Sequence, residues 1–462
     1  MEMKIHRRHF IRGLFVAILS AIITMFAFFW LKKNNKKSQM KKIQTKESNS
    51  KFHSQNGQNS QVYMVQNGSP EENMIEILNK MGGIEKFIGN SDIVILKPNA
   101  QWWHQGMTNT NAMKAFIDLV LEIPNFAGEI IIAENHHIKE DNSRGWTTEC
   151  RNGDYNLNEL IEFFQSKGNK NVTKYHLHDG GPNPNPREGN AGDGKIVRGP
   201  WEGDGYVWCD DAVYVSPENR KCMMTYPIFT SSYSNITIDL KNGAWKDGNY
   251  LNVPVKFINF SALNHHGYYA GITASIKNLM GVTDLTCGYH GSTPEGFFNV
   301  HFIGYENFIH RLGTRFMFGF ARRNMNDFAE LMRSIVEIFG IFNFWYAGGA
   351  LGFWMSHIRK PDLNIITAEN VGYGGRTDPT KSANTKTVLA STDPVALDYC
   401  AVKHVLLPAT KNAGDKGLPY LKTNDTDYLP FKNFLTECQR YIGGTFDEKN
   451  IELFRYNLKS GC

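Results

Sequence analysis

The sequence lacks the cysteine spacing that iron–sulfur clusters and structural zinc sites use. Its 462 residues include seven cysteines and no CxxC pair, and the cysteines lie at positions 150, 209, 222, 287, 400, 438 and 462. This pattern argues against an iron–sulfur motif, a zinc ribbon or a thioredoxin-like centre within the chain. Because the number is odd, at least one cysteine is unpaired within the chain. Cys209 and Cys222 are close enough in sequence to bridge a hairpin, and two isolated thiols fit equally well.

Most of the chain also lacks a surplus of positive charge. Residues 1–51 contain twelve Lys or Arg and two Asp or Glu, whereas residues 52–462 contain 38 basic and 43 acidic residues. The formal net charge of +5 therefore comes entirely from the N-terminal tail. A basic tail of this kind suits a membrane surface, and the acidic balance of the rest predicts no nucleic-acid partner.

Charged residues are absent from residues 13–31, which read GLFVAILSAIITMFAFFWL. As a helix, nineteen residues at ~1.5 Å each span nearly the thickness of a bilayer core. No small-residue cleavage pattern follows, because the next residues are Lys32, Lys33, Asn34 and Asn35. The pattern predicts an uncleaved transmembrane anchor and hence a single-pass protein of the cytoplasmic membrane.

The residues before this segment predict an export signal. Arg7-Arg8-His9-Phe10-Ile11-Arg12 resembles the twin-arginine signal, which directs folded proteins to the twin-arginine export machinery. The alternative is that these bases are ordinary flanking charges. The segment after the anchor is more basic than the segment before it, so the positive-inside rule favours a cytoplasmic body. We favour the exported, periplasmic side, with the cytoplasmic side as the alternative.

The composition divides the chain into four segments. A basic n-region (1–12) and the anchor (13–31) precede a flexible polar tether (32–60), which is rich in Lys, Asn, Gln and Ser. The last segment, 61–462, is predicted to be an α/β domain with an aromatic-rich helical insertion near 297–358. Within this domain a strand at 93–96, a helix at 111–121 and a strand at 129–133 form a βαβ unit. The sheet is therefore predicted to be largely parallel or mixed and flanked by helices.

Polar residues follow the predicted strands. Lys97 and Asn99 follow the first strand, Glu134 and His136 follow the second, and a further strand at 255–260 is followed by a polar run that includes His265 and His266. In open α/β sheets, ligands bind at the carboxyl ends of parallel strands. We therefore expect one site at this edge of the sheet, which also includes Lys277 on the next helix and Asp393 after the strand at 387–390.

The residue types suggest roles within that site. Lys97 and Lys277 can hold negative charge, His266 can move a proton, and Glu134 or Asp393 can orient a base or bind a cation. Strand-rim and helix-capping roles are the alternative for Lys97, Glu134 and Asp393. The predicted catalytic residues are His266, Lys97 and Asp393. The predicted substrate-binding residues are Asn99, Thr108, Asn109, Lys277 and Asn278, and the predicted ligands of a divalent metal are Glu134, His136 and His265.

Several of these segments together resemble a known family. The resemblance is to the prokaryotic family called domain of unknown function 362. It is carried by six segments: 94–99 with Thr108-Asn109, 258–266, Gly271-Ile272-Thr273, 277–281, 361–365 and 391–398. The resemblance covers roughly residues 90–440 in the same order, and it implies the fold and the site location but no reaction. Two typical lysines are replaced by Ala262 and Asn264, and a threonine by His265. Many relatives carry iron–sulfur modules, for which this chain has no cysteine cluster.

Two classes of function remain open at this point. The first is a membrane-anchored, exported enzyme that acts on a small anionic or polar substrate, with or without a metal. The second is a non-catalytic ligand-binding or assembly protein of the cell envelope, in which aromatic residues line a ligand groove. Metal analysis of the purified protein would discriminate between them.

Overall fold

The main sheet is mixed, and helices cover both of its faces. The computed structural model describes residues 59–100, 104–135, 151–177, 196–217, 219–267, 270–285, 297–301, 303, 346–376 and 378–458. Within these residues, nine strands form one sheet: β1 (Ser60–Gln66), β2 (Ile93–Lys97), β3 (Glu129–Asn135), β4 (Val172–Leu177), β10 (Val255–Gly267), β11 (Gly271–Thr273), β12 (Leu363–Gly372), β13 (Ser382–Ser391) and β14 (Ile451–Asn457). Their order in the sheet is β14-β1-β13-β12-β10-β2-β3-β4, and β11 pairs with β10 beyond the end of β2. The α/β class predicted from the sequence is confirmed.

The helices pack against the sheet through apolar faces. They are α1 (Pro70–Lys80), α2 (Thr110–Leu121), α3 (Leu157–Ser166), α4 (Ser275–Asn278), α5 (Tyr346–His357), α6 (Pro394–Ala401), α7 (Leu407–Asn412) and α8 (Leu429–Ile442). Successive residues of a strand point to opposite faces. In β2, Val94 and Leu96 accordingly pack in the core with α1–α3, while Ile93 and Ile95 belong to the core on the other face. Burial on both faces explains why this strand reads as a continuous apolar run.

A second, antiparallel sheet packs against the domain. It contains β5 (Gly205–Val215), β6 (Lys221–Thr230), β7 (Thr237–Asp239), β8 (Gly243–Lys246) and β9 (Asn249–Tyr250). Cys209 and Cys222 lie in its first two strands as buried free thiols, opposite Met224 and Tyr214 respectively. They do not form the disulfide that was one of the two alternatives.

The helix that carries Lys277 is short. Gly271–Thr273 forms β11, and the helix α4 covers only Ser275–Asn278 before a 3₁₀ turn. A positive φ of 81° at Gly271 supports the tight reversal from β10 into β11. β1 begins at Ser60, next to the predicted start of the α/β domain at residue 61.

Several sequence predictions concern residues outside the described part of the chain. The anchor (13–31), the twin-arginine-like run and His136 lie there, as does most of the aromatic segment 297–358. The helix α5, at the end of that segment, packs against α8. None of the helices in the described residues is long and apolar enough to span a bilayer.

Candidate functional site

The strand directions bring three polar strand ends to one edge of the main sheet. β2 is parallel to both β3 and β10, so the carboxyl ends of these strands lie side by side. Lys97 ends β2 opposite Asn259 of β10. β10 continues beyond this level to His265 and His266, and Glu134 lies near the end of β3. The edge therefore carries Lys97, Glu134 and the end of β10, as expected for a ligand site of an α/β sheet.

Lys97 and Glu134 form a buried ion pair at this edge. Lys97 Nζ lies 2.5 Å from Glu134 Oε2, and only 1% and 3% of the two side chains are exposed. The ammonium group also donates to the carbonyl oxygen of Pro98 at 2.7 Å and to Asn278 Oδ1 at 3.0 Å. Lys97 Nζ thus has two hydrogen-bond acceptors and the carboxylate as its ion-pair partner. Burial raises the pKa of Glu134 to about 7 even though Lys97 opposes this shift, and burial lowers the pKa of Lys97.

A row of asparagine side chains holds this ion pair in place. Asn278 Nδ2 donates to Asn259 Oδ1 at 2.8 Å and to the carbonyl oxygen of Phe260 at 3.0 Å. Asn259 Nδ2 in turn donates to Asn364 Oδ1 at 2.9 Å. The hydrogen bonds thus run from β12 across β10 to the end of α4 and on to Lys97. Each of these side chains is buried, so the network fixes α4 against the sheet.

Gly281 covers the ion pair on a further side. A Cβ atom at this position would lie 2.3 Å from Lys97 Nζ and 2.6 Å from each carboxylate oxygen of Glu134. Only glycine lets the backbone approach so closely. The contacts of Lys97 favour a positioning role over direct attack on a substrate, because its protons are already engaged and the backbone packs against it.

The second cluster at this edge is cationic and surrounds His266. Lys277 Nζ lies 2.7 Å from His266 Nε2, and Arg376 Nη1 lies 2.9 Å from the same nitrogen. His266 and Lys277 are buried, with 8% and 6% of their surfaces exposed. The side chain of His301 lies close enough to these groups to interact with them electrostatically. Two strong bases and two imidazoles therefore gather at the end of β10.

Burial and positive neighbours favour the neutral forms of Lys277, His266 and His301. Burial, followed by the charge of Arg376, holds the pKa of Lys277 well below its usual value. Burial also lowers the pKa of His266, and Lys277, Arg376, His301 and His265 add to this effect. A neutral amine next to an arginine can accept a proton or bind an anion together with that arginine.

The two predicted metal ligands within the described residues have different partners. Glu134 pairs with Lys97, whereas His265 Nδ1 lies 2.7 Å from Asn424 Oδ1 and its ring packs edge-on against Tyr420. His136 lies outside the described residues. Among the described residues, no three His, Cys, Asp or Glu side chains are grouped as metal ligands. The metal site stays a prediction.

Three predicted substrate-binding residues make structural contacts. The hydroxyl of Thr108 accepts from the backbone N–H of Asn99 at 2.8 Å and donates to the carbonyl oxygen of Phe260 at 2.9 Å. Asn109 caps α2, since its Oδ1 accepts from Ala112 N at 3.0 Å. These contacts hold the loop after β2 against β10, and their role toward a substrate stays a prediction.

The expectation that Asp393 and His266 lie at the same edge is wrong. β13 runs antiparallel to β12, so Asp393 follows the end of β13 beside the start of β12, whereas His266 lies near the far end of β10. Asp393 caps α6 there, accepting from Val395 N at 2.9 Å and Ala396 N at 3.2 Å. Its other oxygen accepts from Ser60 Oγ at 2.5 Å and Thr445 N at 3.0 Å. The capping alternative therefore describes its contacts.

Sequence reasoning missed Arg376, His301 and the structural role of Asp398. Arg376 follows Gly374 and Gly375 in the loop after β12, and a glycine-rich loop at a strand end is a signal that could have identified it. Asp398 of α6 accepts from Ser275 N at 2.8 Å, Ser275 Oγ at 2.6 Å and Ile276 N at 3.1 Å. It thereby orients the start of α4, whose last two residues are Lys277 and Asn278.

Comparison with known proteins supports the family resemblance over part of the chain. Residues 250–403 match the family model described as Domain of unknown function (DUF362). This region includes β10, β11, α4 and the loop with Arg376, so it contains the cationic cluster and Asn278. Searches of curated proteins and of solved structures gave no significant match. The matched part of the chain is thus similar to a family whose description names no reaction.

Proposed function

We propose that the protein is an enzyme that binds a small anionic substrate between Lys277 and Arg376 and moves a proton through His266 or Lys277. The observation that carries this proposal is that Lys277 Nζ and Arg376 Nη1 both lie within 3 Å of His266 Nε2 at a buried strand edge. Gathering cationic groups away from water is unfavourable, and a bound anion compensates for it. A carboxylate or phosphate group fits the guanidinium and ammonium donors best.

Proton transfer is the chemistry that these groups can supply. A lysine whose pKa is lowered can accept a proton near neutral pH, and an imidazole beside it can pass that proton on. In this proposal, the buried network positions α4 and therefore Lys277. Its members are Lys97, Glu134, Asn259 and Asn278. This proposal assigns no step to a metal, because Glu134 and His265 take part in separate hydrogen-bond networks.

We expect sulfate to bind the full-length protein more tightly as the pH falls from 8 to 6. In the free protein, burial and positive neighbours keep the pKa values of His266 and Lys277 low, and a bound anion raises them, so binding takes up protons. Each proton taken up changes the affinity by up to about tenfold per pH unit. Isothermal titration calorimetry in buffers of different ionisation enthalpy measures both the affinity and the proton uptake.

Sulfate is the suitable probe because its own charge does not change in this pH range. An affinity that stays constant between pH 6 and 8, or that increases with pH, would contradict the assignment of the anion to this cluster. If the protein binds sulfate but converts none of the small carboxylates or phosphate esters tested, the non-catalytic alternative is favoured.

As a second part of the proposal, residues 13–31 anchor the protein in the cytoplasmic membrane with its body on the exported side. The support is the uncharged run of nineteen residues and the twin-arginine-like sequence before it. The tether then separates the α/β domain from the bilayer. A small anion outside the cytoplasm would be the substrate in this arrangement.

Replacing Arg7 and Arg8 with lysine is expected to block export, because the twin-arginine signal is recognised by its arginines and not by charge alone. Protease accessibility in spheroplasts measures which side the domain occupies. The matched control replaces Lys32 and Lys33 with arginine, which keeps the charge and leaves the signal intact. A wild-type domain that is protected from protease in spheroplasts would instead support the cytoplasmic orientation that the positive-inside rule favours.

A further inference from the structure

A pair of polar side chains next to the cationic cluster carries a further inference. Asn264 of β10 lies directly opposite Thr273 of β11 in the antiparallel ladder. Residues that face each other in such a ladder project from the same side of the two strands. Both residues are buried, with 0% and 4% of their surfaces exposed.

Each of these side chains has a polar atom with an unused hydrogen-bonding capacity. Within the described residues, Asn264 Nδ2 and Thr273 Oγ1 are buried and have no hydrogen-bond partner. Asn264 Oδ1 accepts from the backbone N–H of Gly372 at 3.0 Å, and this fixes the orientation of the amide. A flipped amide would turn its NH₂ group toward that N–H, so the present orientation is the stable one. Buried polar atoms in native proteins are normally paired, and unpaired ones call for an explanation.

The pair lies on the same chain segments as the cationic cluster. Asn264 is two residues before His266, and Thr273 is four residues before Lys277. Gly372, which Asn264 holds, begins the tight loop that leads to Arg376, and a Cβ atom on Gly372 would lie 2.0 Å from the carbonyl oxygen of Gly375. The same hairpin and the same loop therefore carry both the neutral pair and the charged groups.

We infer that Asn264 and Thr273 form a neutral hydrogen-bonding subsite for an uncharged oxygen of the substrate, whose anionic group binds at Lys277 and Arg376. The amide N–H donates to that oxygen, and the threonine hydroxyl either donates or accepts. This inference rests on the proposed function. It narrows the substrate class to small anions that carry a hydroxyl or carbonyl oxygen, such as hydroxy acids, oxo acids or hydroxylated phosphate esters.

Matched pairs of probes test the subsite in the full-length protein. The pairs are lactate with propionate and glycerol 3-phosphate with propyl phosphate, and their affinities are measured by titration calorimetry. A site built to bind a hydroxyl group discriminates strongly against the analogue that lacks it. We expect the hydroxylated member of at least one pair to bind at least about tenfold more tightly.

The Thr273→Val and Thr273→Ser variants test whether the threonine hydroxyl causes the preference for the hydroxylated probe. Valine keeps the shape and removes the hydroxyl, so the affinity ratio of the pair is expected to fall toward one, while serine is expected to retain most of it. The Tm of Thr273→Val should not fall, because the lost hydroxyl has no partner in the free protein. An Asn264→Ala variant gives an independent measurement. The affinities of the hydroxylated probe and of its analogue are both measured on this variant, and their ratio is expected to fall toward one.

The outcomes separate the subsite from the anion site. Equal binding of both members of each pair to the wild-type protein would overturn the subsite and leave the anion site intact. An unchanged ratio in Thr273→Val, together with a lowered Tm, would show a structural role for the hydroxyl and also overturn it. If none of the four probes binds, the proposed function fails and the subsite fails with it.

Discussion

Glu134→Ala is expected to lower the free energy of unfolding by about 3–5 kcal/mol, because it leaves the ammonium group of Lys97 buried without its carboxylate. Lys97 Nζ then keeps only two neutral acceptors, the carbonyl oxygen of Pro98 and Asn278 Oδ1. Urea denaturation followed by circular dichroism measures the effect. The matched control is Asp118→Ala, which removes the carboxylate of a partly exposed pair with Lys114 and should change the stability by less than about 1 kcal/mol.

The reciprocal variant, Lys97→Met, is expected to be less harmful at low pH. Burial already raises the pKa of Glu134 to about 7, and the loss of Lys97 removes the main influence that lowers it. A carboxyl group whose pKa is higher in the folded than in the unfolded protein contributes stability at low pH, and this contribution is lost as the pH rises. Lys97→Met should therefore be more stable at pH 5 than at pH 8.

The result that would contradict the buried ion pair is an equal loss of stability in Glu134→Ala and in its control, Asp118→Ala.

Lys277→Met is expected to weaken sulfate binding by about 100-fold and to leave the fold at least as stable as in the wild-type protein. A charge-assisted hydrogen bond contributes about 1.5–3 kcal/mol, which corresponds to roughly 10- to 150-fold in affinity. In the free protein, however, Lys277 is buried next to Arg376, and burial already disfavours its charge. Removing it should relieve this penalty, so a loss of binding and a retained or raised Tm are expected together.

The control for this variant is Lys256→Met on the same strand as His266. Lys256 lies near the amino end of β10 and is 3.9 Å from Asp92, far along the strand from the cationic cluster. Its replacement should leave sulfate affinity unchanged. If Lys277→Met binds sulfate as well as the wild-type protein does, or if it only loses stability, then Lys277 is a structural lysine and not part of an anion site.

Local sequence patterns predicted the central strands well because these strands are buried on both faces. The apolar run of β2 and the run Glu129–Ala133 within β3 were both visible, and so was the parallel βαβ connection between them. This was sufficient to expect Lys97 and Glu134 at the same edge. Lys277 and His266 were also expected at this edge, but their direct contact was not predicted.

The error in placing Asp393 came from the direction of β13. Only residues 373–381 join β12 to β13, too few for the crossover that a parallel pair needs, so the two strands are antiparallel. Only the last part of β13, residues 387–390, is visible as a strand in the sequence, so this short connection was not visible. The second sheet was missed because β5 and β6 lack the continuous apolar runs of the central strands, and because β7, β8 and β9 contain only 3, 4 and 2 residues.

Arg376 shows a different limit of sequence reasoning. Its role depends on the path of the loop after β12. Tight contacts at Gly372 and the hydrogen bond from Gly372 N to Asn264 Oδ1 set this path. Single-residue patterns do not reveal such contacts between a loop and a neighbouring strand. The asparagine row from Asn364 to Asn278 was hidden for the same reason, since its members come from β12, β10 and α4.

A crystal structure of the protein with saturating sulfate tests the central claim most directly. We expect one sulfate ion with oxygen atoms ~3 Å from Lys277 Nζ and from the guanidinium group of Arg376, and no such ion in crystals of Lys277→Met. Sulfate bound only elsewhere on the protein, or a cluster that stays without an anion while titration shows binding, would contradict the assignment of the substrate site to the end of β10.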